Sequence, residues 1–262
     1  MPPLPPAPDL ADVVAAGLVL LRVSAMTMFL PVLGHQLVPP QVKIGLMALI
    51  AIVVWPVARP LVPAIPPSPA ALALMAGQEI IIGAMLAMLA QLVFAAVQLA
   101  GQIMSYQMGI SIANIMDPVS QTQIPVVGQL AVILAMLVWM TAGGHHAFLA
   151  AIADSFSLLP VGHPWSGAGW QTLNDAAAHM FALGLRLAAP VLLLLLFTYV
   201  ALGLLSRAVP QIQIFFVSFP LTIGLGLLAF ALALPAFLSL AHEGFRGAGR
   251  FVPEFLRLLK GA

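Results

Sequence analysis

The chain has 262 residues, of which 62% are hydrophobic and 6% are charged, and its formal net charge is +1. So little polar surface excludes a water-soluble globular protein of this length, and the small net charge excludes the basic field that nucleic-acid binding requires. The chain contains no cysteine, which excludes disulfides, thiolate zinc ligands and thiol nucleophiles. The composition therefore predicts an integral membrane protein.

Apolar runs of about 18 residues or more predict membrane-spanning helices. Four runs meet this criterion, at residues 10–33, 70–97, 126–153 and 176–205. A fifth, at 212–241, contains Pro220 and Pro235, which we expect to interrupt it. The run at 44–56 is too short to cross a bilayer and lies between prolines, so it predicts a half-helix. The first run lacks the pattern of a cleaved signal peptide, and we expect it to be retained.

The basic residues predict the orientation of the chain. A tail at 242–262 holds Arg246, Arg250, Arg257 and Lys260, whereas each other loop holds at most one basic residue. This distribution favours a cytoplasmic C-terminus. No domain boundary or short repeat is visible, so residues 1–262 are expected to form a single membrane domain.

Glu79 is an ionisable residue inside an apolar run, where it needs a partner or a changed protonation state. Gly83 follows one turn later on the same helix face, which predicts a close helix contact beside a buried carboxylate. Arg22 and Arg186 are the candidate partners. We expect a structural ion pair at a subunit contact rather than a proton relay.

A second polar break lies between two apolar runs at 203–221, and it contains Arg207, Pro210, Gln211, Phe215 and Pro220. In hydrocarbon an unpaired polar group costs several kcal/mol, so these polar residues must face protein, water or the membrane edge.

The segment 98–118 is polar but almost uncharged. Gly109 can adopt a positive φ, Asn114 tolerates one, and Asp117 before Pro118 favours a turn. The methionines in this segment, Met104, Met108 and Met116, provide flexible apolar contacts. Such a loop could seal an opening and then yield, although an ordinary connection between helices would have the same pattern.

No motif indicates catalysis or metal binding. His145 and His146 are adjacent and therefore point to different faces of a helix, with no third ligand at suitable spacing. A nucleophile elbow, a P-loop and a zinc-protease motif are all absent from the sequence. We expect no enzyme activity, no metal and no cofactor.

Several motifs resemble the FliR family of flagellar type III export-gate proteins, in the order in which they occur in that family. They cover nearly the whole chain, from Phe29, Pro31, Gly34 and Pro39 onward. The matching residues are Glu79 and Gly83; Ala100, Gly101, Gln107, Gly109, Ser111, Ala113, Asp117 and Pro118; Gly143, Gly144 and His145; and Gly203, Leu204, Leu205, Arg207, Pro210, Gln211, Phe215, Phe219, Pro220 and Leu221.

This resemblance implies an all-α subunit made of long broken helices and helical hairpins, which joins FliP and FliQ in a hollow helical export gate. Unfolded flagellar substrates would pass through that gate, and the further export components FlhB and FlhA would lie downstream. The expected location is the bacterial inner membrane at the flagellar basal body, with lipid as a further contact.

The resemblance also assigns roles to residues. It implies that about 106–122 form a plug loop in the channel, with Gln107, Met108, Gly109, Ser111, Asn114, Met116, Asp117 and Pro118 as plug residues. The subunit-contact or buried polar residues would be Glu79, Gly83, Arg207, Pro210, Gln211, Phe215 and Pro220.

Three alternatives remain open. The injectisome SctT family shares the architecture, but the sequence at 105–109 is similar to the flagellar Gln-x-Gly version. A proton-coupled secondary transporter could use Glu79, Arg186 and Asp154, although the chain shows no internal repeat. A scaffold without a conduit is the third.

Overall fold

The structure is a computed structural model that describes residues 9–28, 39–63, 66, 68–110, 126–164, 169–209 and 214–260. Within these ranges every regular element is a helix, which confirms the all-α class. The helices are α1 (Leu10–Met28), α2 (Pro40–Ala58, followed by the 3₁₀ turn Arg59–Leu61), α3 (Pro69–Gln107), α4 (Val126–Thr141), α5 (Gly144–Leu158), α6 (Trp170–Ala208) and α7 (Ile214–Lys260).

The helices have the length and apolar character of membrane spans. Among the described residues, five are long and apolar enough to cross a bilayer, namely α1, α2 with its 3₁₀ turn, α3, α6 and α7. The bent pair α4 and α5 would make a sixth if it counts as one span. The chain is therefore an integral membrane protein.

Three of these helices are much longer than a bilayer requires. Helices α3 and α6 have 39 residues each and α7 has 47. At about 1.5 Å per residue they are about 58 and 70 Å long, against a hydrocarbon core of about 30 Å. The usual range of tilt does not absorb this difference, so each helix has a segment outside the hydrocarbon.

The half-helix predicted at 44–56 is wrong, because α2 extends over Pro40–Ala58 and continues as a 3₁₀ turn to Leu61. Pro40 occupies the first turn, where a missing N–H removes no hydrogen bond. Pro56 lies in the last turn, so little helix remains after it to be disrupted. The prolines at this segment mark the ends of a full span rather than interruptions.

The prediction that prolines cut the run at 212–241 is also wrong. Helix α7 continues from Ile214 to Lys260 through Pro220 and Pro235. Residues 242–260 of the predicted basic tail form the last part of this same helix. A proline removes one backbone donor from a helix, and α7 continues past both of these positions.

The predicted run at 126–153 divides into two helices. Helices α4 and α5 meet at an angle of 68°. Gly143, between them, has φ +72°, a conformation that favours glycine. The polar segment at 98–118 likewise begins inside a helix, since α3 continues to Gln107.

Contacts group the chain into two compact units. The first comprises Met1–Gln91, Gly144–Ala176 and Ala248–Ala262, and the second comprises Leu92–Gly143 and Ala177–Gly247. In the first unit α2 packs against α1 and α5. The single-domain organisation expected from the sequence stays a prediction.

The second unit has its own apolar core. It is formed by apolar side chains of α3, α4, α6 and α7. At one point the backbones of α3 and α4 come so close that a Cβ at Gly101 would lie against Gly128 Cα. The core residues with the least exposure are Val97, Ala100, Met104, Met108, Ala131, Ala135, Ala188, Val191 and Leu195.

Candidate functional site

Glu79 and Arg22 form a fully buried ion pair in the first unit, between α3 and α1. Arg22 Nε lies 2.5 Å from Glu79 Oε2, and both side chains have 0% exposure. Arg22 Nη1 donates to the carbonyl oxygens of Ser155 at 3.1 Å and Leu159 at 2.8 Å. The guanidinium carbon lies 4.5 Å from the centroid of the Phe156 ring. Of the two candidate partners of Glu79, Arg22 is therefore the one in contact.

The second oxygen of Glu79 binds the turn that follows α5. Glu79 Oε1 accepts a hydrogen bond from the Gly162 N–H at 3.2 Å. Gly162 has φ +71°, and a Cβ there would lie 2.6 Å from Met75 Cε. On the same helix, Gln78 Nε2 donates to the His163 carbonyl oxygen. Two neighbouring residues of α3 thus hold consecutive residues of this turn.

Gly83 provides the close approach that brings the two charges together. A Cβ at Gly83 would lie 2.6 Å from the carbonyl oxygen of Arg22 and 2.8 Å from Ala25 Cβ. The absence of a side chain therefore lets α3 contact the backbone of α1 one turn from Glu79. The spacing of Glu79 and Gly83 predicts a close helix contact beside a buried carboxylate. The structure has this contact, and it joins two helices of the same chain.

This arrangement is suited to holding structure rather than to moving protons. Both Glu79 oxygens accept hydrogen bonds, and Arg22 donates to the Leu159 carbonyl oxygen directly after α5. Arg22 Nη2 is buried, and among the described residues no atom accepts a hydrogen bond from it. A buried charged pair is costly to desolvate, and this one is offset by contacts that fasten α1, α3 and the α5 turn together.

In the second unit, hydroxyl groups bind the carboxyl end of α3. Tyr199 on α6 donates through its OH to the Gln107 carbonyl oxygen at 2.6 Å. Thr222 on α7 donates through Oγ1 to the Met108 carbonyl oxygen at 3.0 Å. Gln107 is the last residue of α3 and Met108 follows it, so both carbonyls lie where the hydrogen bonds of a helix end. Two neighbouring helices therefore satisfy the end of α3.

Met108 and Gly109 are packed tightly at this point. Met108 is fully buried, and a Cβ at Gly226 would lie 2.5 Å from its Cγ. Gly109 has φ +81°, and a Cβ there would lie 3.1 Å from the Phe219 ring. The positive φ expected at Gly109 is confirmed. The segment predicted as a plug thus leaves α3 at a fixed position.

The other predicted site residues are distributed as follows. Tyr106 and Gln107 lie in the last turn of α3 and are exposed. Arg207, in the last turn of α6, and Pro220, in α7, are also exposed. Phe215 lies in α7, but its side chain is outside the described residues, as are the remaining predicted residues Ser111, Asn114, Met116, Asp117, Pro118, Pro210 and Gln211. Their roles stay predictions.

Of the polar residues named for a proton path, Arg186 and Asp154 are exposed and Glu79 is paired with Arg22. The expectation that His145 and His146 point to different helix faces is wrong, because their ring centroids lie 4.0 Å apart, with the rings tilted by 42°, at the start of α5. Within the described ranges, no group of three His, Asp or Glu side chains could hold a metal ion.

Sequence reasoning missed the backbone partners of the buried pair and the hydroxyl groups that cap α3. Ser155, Leu159 and Gly162 take part through main-chain atoms, which carry no side-chain signature. A Pro-x-Gly sequence at 160–162 does signal a turn. Thr222 and Tyr199 lie in apolar runs, where a lone hydroxyl has no distinctive pattern.

Comparison with known proteins identifies the family. The family model described as bacterial export proteins, family 1, matches residues 13–248. The chain belongs to this family. Relatives include the flagellar biosynthetic protein FliR of Escherichia coli (strain K12), which is 37% identical over 219 residues, or 82% of each chain. The FliR of Pectobacterium carotovorum subsp. carotovorum is 35% identical over 247 residues, or 92% of each chain.

A more distant relative is the FliR of Caulobacter vibrioides, which is 32% identical over 90% of this chain and 94% of its own. The resemblance to the FliR family is thus confirmed over most of the chain. The names of these relatives describe flagellar biosynthesis and export rather than catalysis. The chain is a membrane component of the flagellar protein-export apparatus.

Proposed function

We propose that this chain is a core export-gate subunit that forms, with FliP and FliQ, the channel through which unfolded flagellar proteins cross the bacterial inner membrane. It would act at the flagellar basal body, with FlhB and FlhA as the neighbouring export components. The observation that carries the proposal is the match to FliR proteins over most of the chain.

Exposure of the helices supports an assembly with other subunits. Only 17% of the apolar window of α2, and 28% of those of α6 and α7, is buried within the chain. Large apolar side chains such as Ile52, Val53, Phe197 and Phe216 are more than two-thirds exposed. Lipid covers such faces inside the hydrocarbon, but helices of 39 and 47 residues extend past it. Partner helices would cover the apolar faces there.

The geometry of Glu79 favours this proposal over a proton-coupled transporter. A proton carrier must exchange protons with water or with another titratable group. Glu79 is instead fully buried, with one oxygen on Arg22 and the other on the Gly162 N–H. Its contacts are those of a structural residue.

The first test is co-expression with FliP and FliQ, followed by purification and native mass spectrometry. We expect one hetero-oligomer of defined mass that contains all three proteins. The chain co-expressed with an unrelated membrane protein of similar size provides the control. A monodisperse, folded chain that associates with neither partner would contradict the proposal and favour the transporter.

A further inference from the structure

The last part of α7 carries a basic face. Arg250, Arg257 and Lys260 are all exposed, and they are spaced seven and three residues apart on one continuous helix. At about 100° per residue, these spacings place all three within an arc of about 80°. None of the three takes part in an ion pair within the described part of the chain. The face is a stripe of unpaired cations about three turns long.

The opposite face of the same segment is apolar and anchored. Phe255, Leu256 and Leu259 have 0% exposure. Phe255 and Leu259 pack against Gly169, where a Cβ would lie 2.7 Å from one ring carbon of Phe255 and 2.9 Å from Leu259 Cδ2. The rotation of the segment is therefore fixed by its apolar side, and the basic side cannot turn inward. This amphipathic segment continues a helix that is long and apolar enough to cross a bilayer.

A basic stripe at the end of a helix that is long enough to span a bilayer is complementary to the phosphate groups of anionic lipids. Cations near a helix C-terminus also complement the helix dipole, but that effect is confined to about the last turn and does not involve Arg250. We propose that Arg250, Arg257 and Lys260 bind the phosphate groups of anionic phospholipids at the membrane surface. This contact holds the end of α7 at the headgroup layer, and it does not depend on the proposed export function.

Glu254 gives the proposal an internal control. It lies four residues after Arg250 and three before Arg257, so it falls on the same exposed face. Its negative charge opposes the binding of a phosphate group. Removing this charge should strengthen the preference for anionic lipid, whereas removing the basic charges should weaken it.

The test uses the purified full chain in detergent with equal amounts of phosphatidylglycerol and phosphatidylcholine, and native mass spectrometry to measure the ratio of the two bound lipids. We expect the wild-type chain to prefer phosphatidylglycerol. The combined variant Arg250→Gln, Arg257→Gln, Lys260→Gln should lose most of this preference, since each basic residue near an anionic surface contributes about fivefold at low salt. Glu254→Gln should increase the preference, and Arg59→Gln, at a residue whose charge is already paired with Asp12, should leave it unchanged.

Two further measurements distinguish the possible outcomes. Tryptophan fluorescence on heating shows whether each variant is folded, and the single change Arg250→Gln replaces the triple change if the latter does not fold. Phosphatidic acid should also be bound in preference to phosphatidylcholine. Inorganic phosphate should compete only weakly with the bound phosphatidylglycerol, because it lacks the acyl chains. The proposal is overturned if folded variants without the basic residues keep the wild-type ratio. It is also overturned if inorganic phosphate abolishes the preference.

Discussion

At the scale of single residues, the buried pair of Arg22 and Glu79 offers the most direct test of what holds the first unit together. We expect Glu79→Gln to leave the Arg22 charge buried without a counter-charge, which costs about 3–5 kcal/mol. Thermal unfolding followed by the fluorescence of the 4 tryptophans should show a markedly lower midpoint. The exposed Glu243→Gln provides a matched control, for which a change within about 0.5 kcal/mol is expected. An unchanged midpoint for Glu79→Gln would show that the pair contributes no net stability.

A charge swap distinguishes an ion pair from a clamp on the backbone. In the double variant Arg22→Glu, Glu79→Arg the two charges still attract each other. The carboxylate at position 22 would, however, face the carbonyl oxygens of Ser155 and Leu159, and the guanidinium at position 79 would face the Gly162 N–H. We expect the swap to recover little of the lost stability. If the double variant recovers the full wild-type stability in the same unfolding measurement, the contacts to the α5 turn do not contribute to stability.

At the scale of elements, the crossing of α3 and α4 depends on a pair of glycines. A Cβ at Gly101 would lie against the Gly128 backbone, which cannot rotate away as a flexible side chain would. We expect Gly101→Ala to separate the two helices and to lower the free energy of unfolding by about 1–3 kcal/mol. The matched control is Gly224→Ala, since a Cβ at this exposed helical position meets nothing within 4 Å.

The control should behave in the opposite way. Alanine is a better helix former than glycine, so Gly224→Ala should raise the stability by about 0.5–1 kcal/mol. Both variants can be compared by thermal unfolding in the same detergent. If Gly101→Ala raises the stability as Gly224→Ala does, the close approach of α3 and α4 does not limit packing at Gly101.

How far the sequence predicts the elements depends on whether the signal is local. The apolar runs predicted α1, α3, α6 and the membrane class, because hydropathy reports directly on the solvent of a segment. Prolines misled the prediction at α2 and α7, since their effect depends on the turn they occupy and on the surrounding packing. Glu79 and Gly83 could be chosen from their spacing on one helix. Arg22 could not be preferred over Arg186, because spacing along the chain does not specify tertiary contacts.

At the scale of the whole molecule, each unit has its own packed interior, and several helices have faces that the described residues do not cover. The interior of the first unit holds the ion pair of Glu79 and Arg22, and that of the second is an apolar core. The uncovered faces lie on α2, α6 and α7. A subunit that completes its packing only within an assembly would have this distribution, which is the expectation for an export gate.

The proposed plug gives the assembly a test of its own. Residues 111–125 lie outside the described part of the structure, but the point where they leave α3 is held by Thr222 on the Met108 carbonyl and by Phe219 beside Gly109. Deleting residues 110–117 leaves this anchor in place, so we expect the complex with FliP and FliQ to assemble normally. Vesicles that contain the shortened complex should leak ions faster than vesicles with the wild-type complex. Replacing the same eight residues by glycine and serine keeps the length of the loop and separates the effect of its side chains from that of its volume. An assembled but ion-tight deletion variant would show that this loop does not seal the channel.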